Sequence, residues 1–590
     1  MRYLITCFML ICLIATASAG NKGQLNGWPA ILQDYNDGLI TLDQKAQLAL
    51  TLLTNPENLP PRYQIDHPMK DATVMILDIM TVRGEIDPDI INQYFLTLTR
   101  VNKQKFYNTP EGHFRINYDT TGTHAVYQPT VDVNPADGVP DYVNRTAEYF
   151  ERAWTVQSDT LGYDTPPYDG GNGGGMDLYD VYMHRYSGAY GVTWPESNTT
   201  QRPGRNNDMT SYIYVDPTYS GFGYSDRTLP MKVTSAHEFF HATQFAYNAN
   251  AGGWFMENCA VWMEEKMWDD INDCYFYMNS FFNNTHYAIN TANGAFEYGA
   301  FVWPTFLDES YGQDIIRTIW EWTINTSAFN AMLAVLENYG SGIVADYPEF
   351  AVWNYLTGAR NDGEHYSEGS GYNLVRIMRT HTTYPVIDNN SFLQPGTLGS
   401  NYILFSRGSN TGNLHITFNG GDSGVWIIPV VKSLSTNQHQ FDYLETDENG
   451  DGDITIYGIQ NYVGVAIIPC LVYGPSSNYI YGAEIDTATS IDDLTGNLPS
   501  ELRLTGNYPN PFNGSTVISF ETPASCAGEG NIDIYNMLGQ KINTLSIPIQ
   551  GGKNTIHINN WNNTDYASGI YYYRIEMGEN TLTGRMTYLK

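Results

Sequence analysis

The hydrophobic pattern changes from helical spacing to a two-residue alternation near residue 401, and this change constrains the fold more than any other feature. Short segments between residues 401 and 481 alternate apolar and polar side chains and are separated by Gly, Asn and Asp turns: NYILFSR, NLHITFNG, GVWIIPVV, DITIYGI and YVGVAIIPCLVY. This pattern indicates a β-sandwich, predicted over residues 389–485. The 590 residues are enough for about three to five domains, and the change of pattern predicts that helical and all-β domains occur in the same chain.

Residues 20–105 are predicted to be mainly helical. The segment TLDQKAQLALTLLT opens with a capping Thr41, and DPDIINQYFLTLTR opens with Asp87 and Pro88. Two interpretations stay open here: a prosegment that covers a protease cleft, or a helical N-terminal domain. Residues 106–388 mix helical and strand-like stretches with Gly-rich loops, which predicts an α+β domain.

The first 19 residues have the features of a secretory signal peptide: Arg2, an apolar run from Tyr3 to Ile14, and the small-residue site ending at Ala19. That run is shorter than the ~20 residues of a membrane span, and no later segment is long and apolar enough, so we expect no integral membrane span. The formal charge of −33 repels phosphate backbones, which argues against a nucleic-acid partner.

The end of the chain is predicted to be a linker, residues 486–500, followed by a second β-sandwich, residues 501–590. Here LTGNYPNPFNGSTVISF, NIDIYNMLGQKI, ASGIYYYRIEMG and RMTYLK resemble the type A C-terminal sorting domain of the type IX secretion system. The resemblance implies that the type IX secretion machinery is a partner through residues 501–590. It also implies export through the periplasm of a Gram-negative-type bacterium and a secreted or cell-surface product.

The stretch VTSAHEFFHATQFAY holds the strongest chemical signal. No Pro or Gly interrupts residues 232–247, so a helix is predicted, on which His237 and His241 lie within ~40° of each other. Both imidazoles can reach one ion, while the carboxylate of Glu238 can meet a water at the metal without being a ligand itself. The other interpretation is a buried helix with two hydrogen-bonded histidines.

A catalytic zinc usually takes a third protein ligand, and the predicted helix GGWFMENCAVWMEEKMW offers Glu257, Glu264 and Glu265. Glu257 and Glu264 share a face within ~20°, so one could bind the ion and the other orient a histidine. The run 254–260 is similar to the WxxEGxA run of the gluzincin aminopeptidases. By this resemblance Glu257 is the third ligand, with Glu264 as the orienting or alternative residue. Asn258 replaces the family's Gly, so the exopeptidase specificity of that branch is not carried over.

A wider resemblance covers residues 105–485. YNTPEGHFRINYDTTGTHAV, DGVPDYVNRTAEYFERAW, MKVTSAHEFFHATQFAY, WFMENCAVWMEE and FEYGAFVWPTFLDESYG look like secreted bacterial proteins that are classed by motif as metalloproteases and often carry the same sorting domain. The resemblance implies a multidomain α+β protein with a zincin-like metalloprotease domain at residues 106–388. It also implies Zn²⁺ as the cofactor and a protein or peptide as the substrate.

Other residues are candidates for supporting roles. Tyr298 and His286 could donate a hydrogen bond to a developing oxyanion. The loop TDENGDGDITIYG places Asp447, Asn449, Asp451 and Asp453 as in the first half of an EF-hand. Gly458 stands in place of the closing Glu, which leaves a shortened Ca²⁺ loop or a solvated β-turn. Cys259 and Cys274 are close enough in sequence to form a disulfide in an oxidising compartment.

These patterns together predict a secreted zinc endopeptidase, in which His237, His241 and Glu257 bind the ion and Glu238 is the general base. Two alternatives remain. One is an adhesin or binding protein on a zincin scaffold that has lost its activity, although such a protein would not need Glu238. The other is a zinc hydrolase with a non-protein substrate, because the chemistry of a zinc-activated water is general.

Overall fold

A computed structural model describes residues 25–174, 177–199, 201–421 and 424–486. It also describes residues 502–588, with gaps at 509, 511, 513–515, 527, 538, 559–560, 562–565, 567–568 and 579. The predicted signal peptide and the predicted linker after Asp486 lie outside the described residues.

The N-terminal region is mainly helical, as predicted. Its helices are α1 (Gly27–Asn36), α2 (Leu42–Thr54), α3 (Thr73–Thr81) and α4 (Pro88–Leu98). Thr41 caps α2 by accepting a hydrogen bond from the Gln44 backbone N–H at 3.2 Å, and Asp87 caps α4. The sequence pattern did not indicate the short strand β1 (Met69–Asp71), which leaves this region and joins the sheet of the next domain.

The central domain contains a six-stranded sheet with the order β1-β5-β6-β4-β3-β2. The other strands are β2 (Lys105–Asn108), β3 (Phe114–Tyr118), β4 (Tyr179–Met183), β5 (Ala189–Asn198) and β6 (Met209–Val215). Alternating side chains build two cores. One face, with Ile116 and Val181, packs with the central helices, and the other, with Val192 and Trp194, packs with the N-terminal helices. The N-terminal region therefore covers this face of the sheet at strands β4, β5 and β6.

Nine described helices complete the central domain: α5 (Asp141–Trp154), α6 (Thr228–Gln244), α7 (Gly253–Trp268), α8 (Tyr275–Phe282), α9 (Phe296–Gly299), α10 (Val302–Tyr311), α11 (Asp314–Thr323), α12 (Ala328–Asn338) and α13 (Ile343–Tyr355). Helix α6 packs against α5 and α7 and against strands β5 and β6. Its one proline, Pro230, lies in the first turn, where a missing N–H costs nothing. A π-helical turn, Thr155–Thr160, follows α5, and its buried Gln157 donates to the Ala236 carbonyl of α6 at 2.9 Å.

The next unit is a β-sandwich, as the two-residue alternation predicted. Its strands are β7 (Arg379–His381), β8 (Val386–Asn389), β9 (Gly399–Ser400), β10 (Ile403–Phe405), β11 (Asn413–Asn419), β12 (Val425–Ser435), β13 (Gln438–Leu444), β14 (Asp451–Ile456), β15 (Gly464–Ile467), β16 (Cys470–Tyr473) and β17 (Ile480–Asp486). A seven-stranded and a four-stranded sheet share one core. The sandwich begins at Arg379 rather than at residue 389, because β7 pairs with β10 and β8 pairs with β17.

The last unit is a second, smaller β-sandwich, also as predicted. Its strands are β18 (Arg503–Tyr508), β19 (Thr516–Thr522), β20 (Gly528–Tyr535), β21 (Lys541–Ile549), β22 (Gly552–Ile558), β23 (Gly569–Met577) and β24 (Asn580–Tyr588). Sheets of three and four strands share a core that includes Ile518, Ile534 and Tyr573. In the described parts of the chain, no helix combines the length and apolar character needed to cross a bilayer.

Candidate metal centre

Four buried side chains meet between the sheet and helices α6 and α7. Asp71, His237, His241 and Glu257 each offer one ligand atom, and these atoms all lie within 4.8 Å of one another. The histidines are one turn apart on α6, Glu257 lies near the start of α7, and Asp71 ends β1. The sequence predicted three of these residues. Asp71 was missed because no motif or spacing connects it with the others.

Hydrogen bonds behind the two imidazoles determine which ring nitrogen faces the centre. His237 Nδ1 is 2.7 Å from Glu264 Oε1, and His241 Nδ1 is 2.8 Å from Gln244 Oε1. Since both partners are oxygen acceptors, each Nδ1 carries a proton and each Nε2 turns a lone pair to the centre. The two Nε2 atoms are only 3.1 Å apart. Lone pairs at this distance repel each other unless a cation or a proton lies between them.

Several separations among the ligand atoms are close to those of a zinc site. Glu257 Oε2 is 3.3 Å from His237 Nε2 and 3.7 Å from His241 Nε2, and Asp71 Oδ2 is 3.6 Å from His241 Nε2. Four atoms bonded to one zinc ion at ~2.0–2.2 Å span a tetrahedron with edges of about 3.3–3.6 Å. The carboxylate of Glu257 is fully buried and faces the two imidazoles, and a buried carboxylate is costly unless a positive charge balances it. These residues therefore fit a divalent ion of the size of zinc.

The carboxylates also change the proton affinity of the two histidines. Burial alone lowers the pKa of an imidazole. At His241 the charge of Glu257 and the hydrogen bond to Asp71 outweigh burial and raise the pKa well above its usual value. Hydrogen bonds to Glu257 and Glu264 outweigh burial in the same way and raise the pKa of His237. Protons and a metal ion therefore compete for the same atoms, and metal binding weakens as the pH falls.

Glu264 lies behind His237 and not at the centre. Its Oε1 accepts the Nδ1–H of His237, and its Oε2 is 2.7 Å from the ammonium of Lys70. Lys70 also contacts Asp273, and both Lys70 and Glu264 are almost fully buried. Of the two glutamates left open by their spacing, Glu257 faces both Nε2 atoms and Glu264 orients His237.

Glu238 lies beside the centre and contacts strand β5. The Thr193 hydroxyl donates to Glu238 Oε2 at 2.7 Å, while Oε1 is buried without a hydrogen-bond partner in the described part of the chain. A Cβ atom at Gly191 would lie 2.5 Å from this Oε1, so glycine leaves the space that the carboxyl group occupies.

The pKa values of Glu238 and Asp71 are shifted in opposite directions. Burial and then the charge of Asp71 raise the pKa of Glu238 well above its usual value. Burial alone would also raise the pKa of Asp71, but the hydrogen bond and charge of His241 outweigh it and lower that pKa. Glu238 therefore holds a proton more tightly than Asp71 does.

The remaining candidates lie outside the group of four. Burial and then the charges of Glu257 and Asp71 raise the pKa of Tyr298 on α9 well above its usual value, so its phenol keeps a proton to donate. His286 lies in the loop after α8, where its backbone oxygen accepts from the Gly396 N–H at 2.8 Å, and it is not one of the four grouped residues. Cys259 and Cys274 are free, buried thiols.

The predicted calcium residues form a turn between β13 and β14. The Asp447 carboxylate accepts hydrogen bonds from the backbone N–H groups of Asn449 and Asp451 at 2.8 and 3.0 Å. Asp451 and Asp453 belong to β14, and the three carboxylates are not among the described acidic groups whose oxygens lie within 4.8 Å of one another. The shortened Ca²⁺ loop at these residues stays a prediction.

Comparison with known proteins identifies the chain at two levels. Residues 507–588 match the secretion system C-terminal sorting domain. This match confirms the resemblance seen in the last β-unit, and the chain is a secreted or cell-surface protein. Residues 143–450, more than half of the chain, match the family of unknown function DUF6055, and the chain belongs to this family. The matched region contains His237, His241 and Glu257 of the centre but not Asp71. The family description states no activity.

Comparisons with other proteins add no function. No curated protein matches the chain. Among solved structures, the GH2 β-galacturonidase from Eisenbergiella tayi is 12% identical, with 32% of this chain and 35% of that chain covered and a TM-score of 0.14. The β-glucuronidase from Parabacteroides merdae is 9% identical, with 30% and 25% covered and a TM-score of 0.12. The chain thus spans about a third or less of the length of these enzymes, and such TM-scores carry no argument about fold or activity.

Proposed function

We propose that the chain is an exported zinc-dependent endopeptidase with a zincin-like central domain. The observation that carries the proposal is the convergence of two imidazole lone pairs and the Glu257 carboxylate, with Glu238 buried beside them. The position of helix α6 against a sheet, with α7 supplying a glutamate from the other side, supports the zincin-like assignment. The sorting domain supports a site of action outside the cell.

Each residue has a distinct chemical role in this proposal. His237, His241 and Glu257 would hold Zn²⁺, which polarises a carbonyl group and acidifies a water molecule when it is bound. Glu238, once ionised, accepts a proton during attack on the scissile carbonyl and passes it to the leaving amine. Tyr298, which keeps its phenol proton, donates a hydrogen bond to the oxygen that gains negative charge. Glu264 and Gln244 keep the two rings in the orientation that this requires.

A second candidate function is that of a surface-binding protein with a structural zinc. It is favoured by one specific observation: four protein side chains surround the centre, and a closed set of four ligands is typical of structural sites. However, a structural site has no use for a carboxyl group such as Glu238, which lies buried next to the centre with one oxygen unpaired. Hydrolysis of a non-protein substrate would use the same residues, and only a substrate survey separates it.

The test combines metal analysis with one substitution. The purified chain is expected to contain about one zinc per molecule, and Glu238→Gln should keep the metal but lose hydrolysis by about 100-fold or more. Glu148→Gln, an exposed position on α5, is the matched control. Hydrolysis is measured on a broad set of unfolded proteins, with cleavage sites read by mass spectrometry. Asp71 lies next to Glu238. The wild-type residue and Glu238→Gln are therefore also compared in chains that carry Asp71→Asn. If the purified chain contains no zinc, the proposal is wrong. If the chains with Glu238 and with Glu238→Gln are equally inactive, both with Asp71 and with Asp71→Asn, the binding protein is favoured.

A further inference from the structure

Strand β1 occupies the edge of β5 beside the centre. It pairs in parallel with β5, with Met69 opposite Ala189 and Asp71 opposite Gly191, and the Met69 N–H donates to the Gly188 carbonyl at 2.7 Å. On its other side β5 pairs with β6, so β1 fills the remaining edge of β5. An unpaired strand edge offers backbone donors and acceptors to a bound peptide. In this chain a segment of the N-terminal region takes up that edge.

Asp71 is held in a ligand position by its own neighbours. The Thr73 backbone N–H donates to Asp71 Oδ2 at 2.6 Å, and the Thr73 hydroxyl donates to Oδ1 at 2.7 Å. These bonds aim the carboxylate at the centre, where Oδ2 is 3.6 Å from His241 Nε2. Hydrolytic zinc sites have three protein ligands and leave the fourth position to water or substrate. Asp71 is the fourth side chain that reaches this centre.

Two flanking residues engage the rest of the machinery. Lys70 is buried between Glu264 and Asp273, so the segment is tied to the carboxylate that orients His237. The Thr73 hydroxyl lies 3.4 Å from Glu238 Oε2 and also accepts the Thr193 N–H at 2.8 Å. Residues 70–73 thus contact a ligand-orienting residue, the ligand set and the proposed base. An ordinary structural strand would not need contacts of all three kinds.

The segment belongs to the N-terminal region, whose helices share a core with the central sheet. Trp28, Leu53, Ile76 and Tyr94 form a cluster that packs on the sheet face carrying Trp194. The match to the family of unknown function starts at residue 143, after this unit. The packing of the N-terminal helices therefore holds β1 against β5.

We propose that residues 69–73 form an inhibitory plug, in which Asp71 is a fourth metal ligand that closes the centre until the N-terminal region is removed or displaced. This proposal rests on the proposed function. It decides between the two interpretations of residues 20–105 in favour of a prosegment. It also explains why a hydrolytic site presents four protein ligands.

The test measures access to the metal and not only activity. The full chain is loaded with Co²⁺, whose visible absorption reports the ligands around it, and is titrated with acetohydroxamate. We expect no spectral change with the wild-type chain and clear binding to Asp71→Asn, with a dissociation constant lower by about 100-fold if Asp71 is bound about 99% of the time. The exposed Asp66→Asn is the matched control and should behave like the wild type.

The possible outcomes separate the two proposals. Acetohydroxamate binding to the wild-type chain as tightly as to Asp71→Asn overturns the plug but leaves the zinc site intact. If the wild-type chain does not bind Co²⁺, both proposals are wrong. Co²⁺ that stays inaccessible in a folded Asp71→Asn chain also overturns the plug. Should Asp71→Asn not fold, as judged by circular dichroism, Asp71→Ala takes its place, and the wild-type titration remains decisive on its own.

Discussion

Replacing Glu264 by Gln should weaken zinc binding about fivefold to tenfold without abolishing it. The Nδ1–H of His237 donates to Glu264 Oε1 over 2.7 Å in a fully buried place. A hydrogen bond to a charged group contributes roughly 1.5–3 kcal/mol and a neutral one roughly 0.5–1.5 kcal/mol. Gln keeps the bond but loses the charge, so the difference is ~1–1.5 kcal/mol, or about fivefold to tenfold in a dissociation constant. Lys70, at 2.7 Å from Oε2, already offsets part of that charge, which favours the lower end.

Glu257→Gln provides the comparison, because it removes a proposed ligand. If ~10–16 kcal/mol of zinc binding is shared among four ligands, each accounts for roughly 3 kcal/mol, which corresponds to a loss of at least about 100-fold. The assay is competition with a fluorescent zinc chelator at pH 7.5, with circular dichroism as a check of folding. Glu265→Gln is a suitable control, since burial raises the pKa of Glu265 to about 8 and its carboxyl is then mostly neutral at this pH. A larger loss in Glu264→Gln than in Glu257→Gln would refute the assignment of the two glutamates.

Two further predictions follow from the fold. Gly191→Ala should keep zinc but reduce hydrolysis by about 100-fold or more, because its Cβ would lie 2.5 Å from Oε1 of the proposed base Glu238. Gly342→Ala, whose Cβ meets nothing within 4 Å, is the control, and equal activity of the two variants would contradict the reasoning. Asp346→Asn should raise the melting temperature at pH 7.5 but not at pH 4. Burial raises the pKa of Asp346 to about 6 despite the hydrogen bond from Tyr311, so its stabilising protonated form is complete below pH 3.8 and is lost as the pH rises through about 6. The rise of the Asp346 pKa from 3.8 to about 6 corresponds to ~3 kcal/mol in the free energy of unfolding. A difference in melting temperature that is independent of pH would show that the buried charge is not its cause.

The sequence predicted the parts of the centre that lie close together along the chain. His237, Glu238 and His241 follow from the geometry of one helix, because their relative directions depend only on the turn of ~100° per residue. Glu257 and Glu264 were predicted as a pair on one face of α7. Their separate roles were not fixed by spacing, since two residues on one face point in similar directions. The docking of α7 against α6 separates them: Glu257 faces both Nε2 atoms, and Glu264 faces the Nδ1–H of His237.

The two-residue alternation predicted both β-sandwiches but placed the start of the first one too late. Strands β7 and β8 are short, and they join the sandwich through pairing with β10 and β17, which are distant in sequence. The same reason applies to β1, whose three residues carry no periodic signal and are a strand only because β5 offers an edge. Short strands depend on their partners, and the partner is decided by tertiary structure.

By itself, the sequence determined the sorting domain, the helical N-terminal region, the two sandwiches and the histidines and glutamates that lie on one helix face each. These features arise from local periodicity and from motifs within a single element. Only the tertiary structure decided that Asp71 and Lys70 reach the centre, that Gly191 makes room for Glu238, and that β1 fills the edge of β5. Each of these contacts joins residues that are far apart in the chain, and no local pattern encodes the distance between them.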